Sequence, residues 1–152
     1  HKLGNYWLAG GASNTGGNVL KKYFSKTQII NLSKEINPNY SSELEYYPLT
    51  DIGERFPIND PELKPQLSPR PKDETLFLQG LFEGMAKIEK KSYEAIHKLG
   101  GSFPEHIITV GGGAKNKVWE KIRMRVIKTK ISPGIHVEAA VGSAKIPFLF
   151  CN

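Results

Sequence analysis

An α/β fold is the expectation, on three observations. A β-branched run, Ile107-Ile108-Thr109-Val110, stops at Gly111-Gly112-Gly113, and Trp119, Ile122 and Val126 then recur at helical spacing. A similar succession of strand, glycine-rich loop and helix start stands near the beginning, from Leu3 to Phe24. Between the two lies a long amphipathic segment, Asp73 to Leu99. At 152 residues the chain has the size of one domain and can bury a real core, so residues 1–152 are read as a single domain.

Taken in order, Leu3 to Ala9 reads as a short strand and Gly10 to Gly17 as a loop of glycines and hydroxyls. From Asn18 to Phe24 the apolar positions Val19, Leu20, Tyr23 and Phe24 open a helix. Gln28 to Ile36 is a short helix ended by Asn37-Pro38. Leu44 to Leu49 has the make-up of a strand. Five prolines between Thr50 and Pro71 then impose an irregular excursion. In the long helix, Leu78, Leu81, Phe82, Met85, Ile88, Ile96 and Leu99 form a core stripe. Asp73 is its N-cap, Glu83 and Lys87 are spaced as an i,i+4 pair, and Gly100-Gly101 ends it. Gly84 suggests the close approach of another backbone. Ile127 to Ile131 reads as a strand running to a Ser132-Pro133-Gly134 turn, and Glu138 to Ile146 as a small-residue helix interrupted by Pro147.

Composition narrows the function. The hydrophobic share of 39% and charged share of 24% are those of a soluble globular protein. The single cysteine, Cys151, rules out an internal disulfide and suits a reducing compartment, so a cytoplasmic location is expected. No apolar run approaches a membrane span, and His1-Lys2-Leu3 does not begin a secretory signal. A first residue other than Met points to a piece of something longer. The net charge of +6 is concentrated between Lys115 and Lys130, where seven basic residues face one acid, Glu120. No recognisable nucleic-acid module accompanies them. A solvated helix face or an attraction for nucleotide phosphates is therefore favoured over nucleic acid.

Strand, glycine turn and helix together bring bare backbone close to an anionic or planar ligand. Asn116 stands where a helix N-cap is expected, though its amide could instead point at a ligand. Two familiar phosphate motifs are absent here. A dinucleotide fingerprint needs a glycine three places after Gly113, where Asn116 stands, and a P-loop needs Lys-Ser/Thr where Gly17-Asn18 stands. In the Gly10–Gly17 loop, backbone and Ser/Thr donors are candidates to face phosphate. Asp51, Glu54, Asp60 and Arg55 could be catalytic carboxylates with a guanidinium clamp. With no paired base or metal-ligand spacing, turn formers and an ion pair are the favoured reading. The four histidines show no metal-ligand spacing either.

Assembled, these stretches resemble the C-terminal part of the FGGY carbohydrate kinase family. The blocks that carry the resemblance are Gly10 to Gly17, Gly53 to Pro61, Leu81 to Ala86 and Gly111 to Trp119, with Glu138 to Ala144 matching the family's last helix. The first two are worded most like the pentulose kinases, the D-ribulose and xylulose kinase-like branch. The resemblance implies an actin-like ATPase fold of two ribonuclease H-like domains, with ATP and sugar in the cleft between them. It implies use of ATP and Mg2+ to phosphorylate a sugar hydroxyl. It also implies that Gly112, Gly113, Ala114 and Asn116 border the adenosine, while Gly16, Gly17 and Lys21 lie towards the phosphates. The family's catalytic aspartate and most of its sugar-binding residues fall upstream of the matching region, and no residue here corresponds to that base. The chain alone is thus expected to bind nucleotide without catalysing. Surface normally covered by the other half would be left as an apolar patch or a homodimer contact. The alternative is a non-catalytic nucleotide-binding or assembly module derived from such a kinase.

Overall fold

The computed structural model describes residues 2–135. The helix read over Glu138–Ile146, together with His1, His136 and Cys151, lies outside the described residues. The order of elements is β1 (Lys2–Leu3), β2 (Tyr6–Trp7), α1 (Gly17–Lys21), α2 (Lys26–Glu35), α3 (Glu74–Lys98), β3 (His106–Thr109), α4 (Lys117–Ile127) and β4 (Lys130–Pro133), with a 3-10 turn at Gly112–Lys115 ahead of α4.

The long helix α3 is the axis of the molecule. Its 25 residues make it roughly 37 Å long. The Asp73 carboxylate caps it, accepting from the N–H groups of Thr75 at 2.8 Å and Leu76 at 3.4 Å. From Phe77 to Ala86 every residue is buried, so this part is enclosed on all faces rather than on one stripe. Phe77, outside the expected stripe, is at the centre of an aromatic cluster with Tyr23, Phe24 and Tyr46 at 5.2, 6.0 and 5.9 Å between ring centres. Leu99, expected in the core, is 85% exposed, because the helix has run past its packing partners by then.

The chain from Ser42 to Pro48 alternates buried and more exposed side chains as a strand would. It is not one: its sole ladder contact among the described residues is the bridge between Tyr47 and Gln66. Its inner face lies in a groove of α3 at Gly80 and Gly84, and the periodicity reflects that packing. A Cβ on Gly84 would stand 2.8 Å from the Tyr46 carbonyl oxygen, which is the close backbone approach the sequence suggested.

The second core gathers where β3 and β4 pair in parallel, Ile107 opposite Ile131, with α4 as the crossover between them. Ile127, read as strand, closes the helix α4 instead. Lys128 then takes the left-handed conformation, its N–H donating to the Met124 carbonyl at 2.9 Å, and the strand begins only at Lys130. The segment read as one strand near the start is a small antiparallel hairpin, with Lys2 opposite Trp7. Gly4, at φ 58°, turns it.

The two arginines of the basic run are held internally. Arg123 is buried and clamps Glu89 with two nitrogens, at 2.7 and 2.6 Å. Arg125 pairs with Glu83 and donates to the Pro38 carbonyl. This also corrects the expected Glu83–Lys87 pair, since Lys87 bonds Glu45 at 2.6 Å. Tertiary partners for both residues are nearer than the helical neighbour.

Candidate functional site

Two hollows meet where the N-terminal glycine loop faces the turn before α4. The first, of about 530 Å³, is mainly apolar, with Phe82, Met85, Ile88 and Ile96 of α3 along one wall. Gly16 and Gly17 border it on one side, Gly112, Gly113, Asn116 and Trp119 on the other. The second, of about 640 Å³, is polar and is lined by Asn18, Lys21, Thr50, Asp51 and Arg55. Ser13, Thr15, Gly16, Gly17 and Gly112 line both, so the two spaces adjoin across these residues. The glycine segments, far apart in sequence, thus share one site.

The glycines divide into two kinds. At Gly80 and Gly84 a Cβ would strike protein, so packing explains them. At Gly16, Gly17 and Gly112 a Cβ would meet nothing within 4 Å. No neighbouring group requires those side chains to be absent, and without them the hollow keeps its room. Gly16 at φ 139° and Gly111 at φ 81° also adopt backbone conformations that suit glycine.

The loop owes its shape to one carboxylate. Glu54 is 2% exposed and accepts from the Ser13 hydroxyl at 2.6 Å, the Asn14 N–H at 2.8 Å, the Arg55 N–H at 2.9 Å and the Tyr47 hydroxyl at 3.2 Å. Burial first, and the Glu54 charge second, push the Tyr47 phenol well above its ordinary range. The Thr15 hydroxyl donates to the Pro48 carbonyl at 2.6 Å. Ser13 and Thr15, read as donors towards phosphate, therefore bind the loop to Glu54 of the excursion and to Pro48 just before it. Glu54 takes the role of turn organiser, though through hydroxyl and amide donors rather than an ion pair.

The expected site residues are distributed as follows. Gly16 and Gly17 line both hollows and Lys21 the polar one, its ammonium donating to the Asn18 side chain at 3.0 Å. Gly112 and Gly113 line the apolar hollow. Ala114 is buried beneath the turn and lines neither of the two. Asn116 borders the apolar hollow, but its amide is committed: the oxygen accepts from the N–H groups of Val118 and Trp119, both at 3.0 Å, and the nitrogen donates to Ser33 at 2.9 Å. Of the two readings open for Asn116, the helix cap is realised. The N–H groups of Ala114 and Asn116 are likewise satisfied within the turn, at 3.2 Å each. The turn therefore offers a ligand room more than donors. With only five residues, α1 brings little dipole to the loop.

Sequence reading assigned the α3 stripe to the core alone and so missed the wall it gives the hollow. Phe82, Met85, Ile88 and Ile96 fit the core pattern and the hollow equally, and no periodicity separates the two roles. The carboxylates lining the hollows are both paired, Glu89 with Arg123 at 2.6 Å and Asp51 with Lys22 at 3.0 Å. Among the described residues no cluster of His, Cys, Asp and Glu is arranged to hold a metal ion, and no helix is long and apolar enough to cross a membrane.

An apolar slot joined across glycines to a polar recess bearing Lys21 and Arg55 can take a ligand with a flat apolar end and an anionic tail. In comparison with known protein families, residues 1–148 match the FGGY family of carbohydrate kinases, C-terminal domain.

Proposed function

The chain belongs to the FGGY family of carbohydrate kinases, by the family's C-terminal domain, and from that premise we propose that it is the nucleotide-holding side of an ATP-dependent sugar kinase. Adenosine would occupy the apolar hollow between α3 and the Gly112–Gly113 turn, and the phosphates the polar recess beside Gly16, Gly17 and Lys21. The observation that carries the reading is the convergence of both glycine segments on one site where their missing side chains leave open space. The donor set suits this ligand: an apolar wall for a purine, with Lys21 and Arg55 for a polyanion. Among the described residues no metal cage accompanies it, and in this reading Mg2+ arrives on the phosphates themselves.

The sugar is a pentulose, on the resemblance of Gly10–Gly17 and Gly53–Pro61 to the D-ribulose and xylulose kinases. Phosphoryl transfer is mostly positioning and charge stabilisation from both sides of a cleft, completed by a base near the acceptor hydroxyl. Both carboxylates facing the hollows here are paired with cations, so we assign that base to a complementary N-terminal half. The isolated chain binds nucleotide and does not catalyse.

Calorimetric titration of the chain with ATP and Mg2+ tests this. Binding is expected, and Gly112→Leu, whose Cβ would meet nothing within 4 Å, should weaken it at least tenfold while the thermal transition stays in place. Unchanged affinity in that variant would remove the turn from the site, and no binding to the unsubstituted chain would remove the reading.

A further inference from the structure

We propose that Arg55 is a binding residue for the nucleotide's phosphate chain, an inference that rests on the nucleotide reading above. Of the four arginines in the chain, three are engaged with carboxylates: Arg70 with Glu74, Arg123 with Glu89 and Arg125 with Glu83. Arg55 has no carboxylate partner among the described residues, although it is braced with care. Its Nε donates to the Asn14 side-chain oxygen at 2.8 Å, and its own N–H to Glu54 at 2.9 Å. Asn14 is fixed in turn, its side-chain nitrogen donating to the Gly53 carbonyl at 2.9 Å and its N–H to Glu54 at 2.8 Å. Both the backbone end and the Nε edge of Arg55 are therefore held, while its two terminal NH2 groups find no protein acceptor among the described residues.

A guanidinium in that state keeps its outer donors for something else. It faces the polar recess together with Lys21. Among the described residues the one carboxylate lining that recess, Asp51, is already paired with Lys22 at 3.0 Å. The recess is thus biased towards an anion. The planar pair of terminal nitrogens matches two phosphate oxygens at once, which an ammonium cannot do. Because Asn14 already holds the Nε edge and Glu54 the backbone N–H, less conformational entropy remains to be lost on binding. The braces also tie this contact to the Glu54–Pro61 segment, read from sequence as turn formers and an ion pair.

The test is titration of the intact chain and of Arg55→Ala and Arg55→Lys with ATP, ADP and adenosine. Arg55 is exposed and outside both cores, so the variants should fold, which thermal melting checks. Loss of a charge-assisted contact to phosphate should weaken ATP and ADP binding roughly ten- to hundredfold in Arg55→Ala while adenosine affinity is unchanged. Lysine should restore only part, since it supplies charge without the fork. Unchanged ATP and ADP affinity in Arg55→Ala overturns the inference, as does an equal loss for adenosine, which would mark a structural role. If the unsubstituted chain binds adenosine and ATP alike, the adenosine slot stands and the phosphate contact falls. If it binds neither, both readings fall together.

Discussion

Glu83 shows how a single residue can be placed for structure although its neighbours look like a motif. It is 1% exposed on α3 and accepts from the Ser42 N–H and hydroxyl, from Gln79 and from Arg125. Burial alone would raise its pKa, and the hydrogen bonds from Ser42, Gln79 and Arg125 outweigh burial, holding the carboxyl below its ordinary value of 4.5. The folded protein therefore favours the ionised form more than the unfolded chain does. The stabilisation is fully present above about pH 4.5 and is lost as pH falls through the lowered folded value. Urea melts across pH 3 to 7 should show that loss in the parent and a flatter acid limb in Glu83→Gln. Glu83→Ala, which strands Arg125 and the Ser42 donors, should cost roughly 3–5 kcal/mol at neutral pH. An acid limb of equal steepness in parent and Glu83→Gln would show that other carboxylates control it.

At the scale of elements, α3 does two jobs with one surface. Its glycines admit the Ser42–Leu49 strand-like segment, and its apolar residues beyond Phe82 wall the hollow. Gly84 and Gly80 let the first job be measured. Alanine is the better helix former by about 1 kcal/mol. At Gly84, however, its Cβ would stand 2.8 Å from a backbone oxygen, whereas at Gly80 the nearest atoms are the ends of the Leu44 and Tyr46 side chains. Overpacking against atoms that cannot swing away costs about 1–3 kcal/mol. Gly84→Ala should therefore lower the denaturation midpoint more than Gly80→Ala does. Equal midpoints would mean the segment shifts freely along the groove. The pairing of Arg123 with Glu89 adds a second constraint, since its remaining nitrogen bonds Thr109 at the end of β3 and so sets the turn against α3.

For the whole molecule, the proposal of a half-cleft makes a further demand. Ile108 and Val110 stand exposed beside the turn, on the side of the β3–β4 pair away from its core. A parallel pair is ordinarily covered on both faces. Co-expression with a complementary N-terminal half should restore sugar-dependent ADP release, with a pentulose preferred among sugars. Binding of ATP without any such release would favour the non-catalytic module instead. Sedimentation of the isolated chain reads out the remaining alternative, a homodimer through exposed apolar surface.

Much of this was legible beforehand because local chemistry decided it. Asp73 and Asn116 cap their helices, the prolines after Thr50 keep that stretch irregular, and the glycines at 111–113 end a strand, all through interactions within a few residues of each other. The fold class and the position of both glycine bends follow from such short-range rules. Tertiary structure alone decided which glycines make room for protein and which border open space, and that α3 serves core and hollow together. It decided too that Ser13 turns inward to Glu54 and Thr15 to the Pro48 carbonyl, and that Arg55, unlike the other three arginines, leaves both terminal nitrogens without a protein acceptor among the described residues. Those outcomes depend on partners thirty residues or more away along the chain. Spacing within a sequence carries no record of which distant group comes within hydrogen-bonding reach.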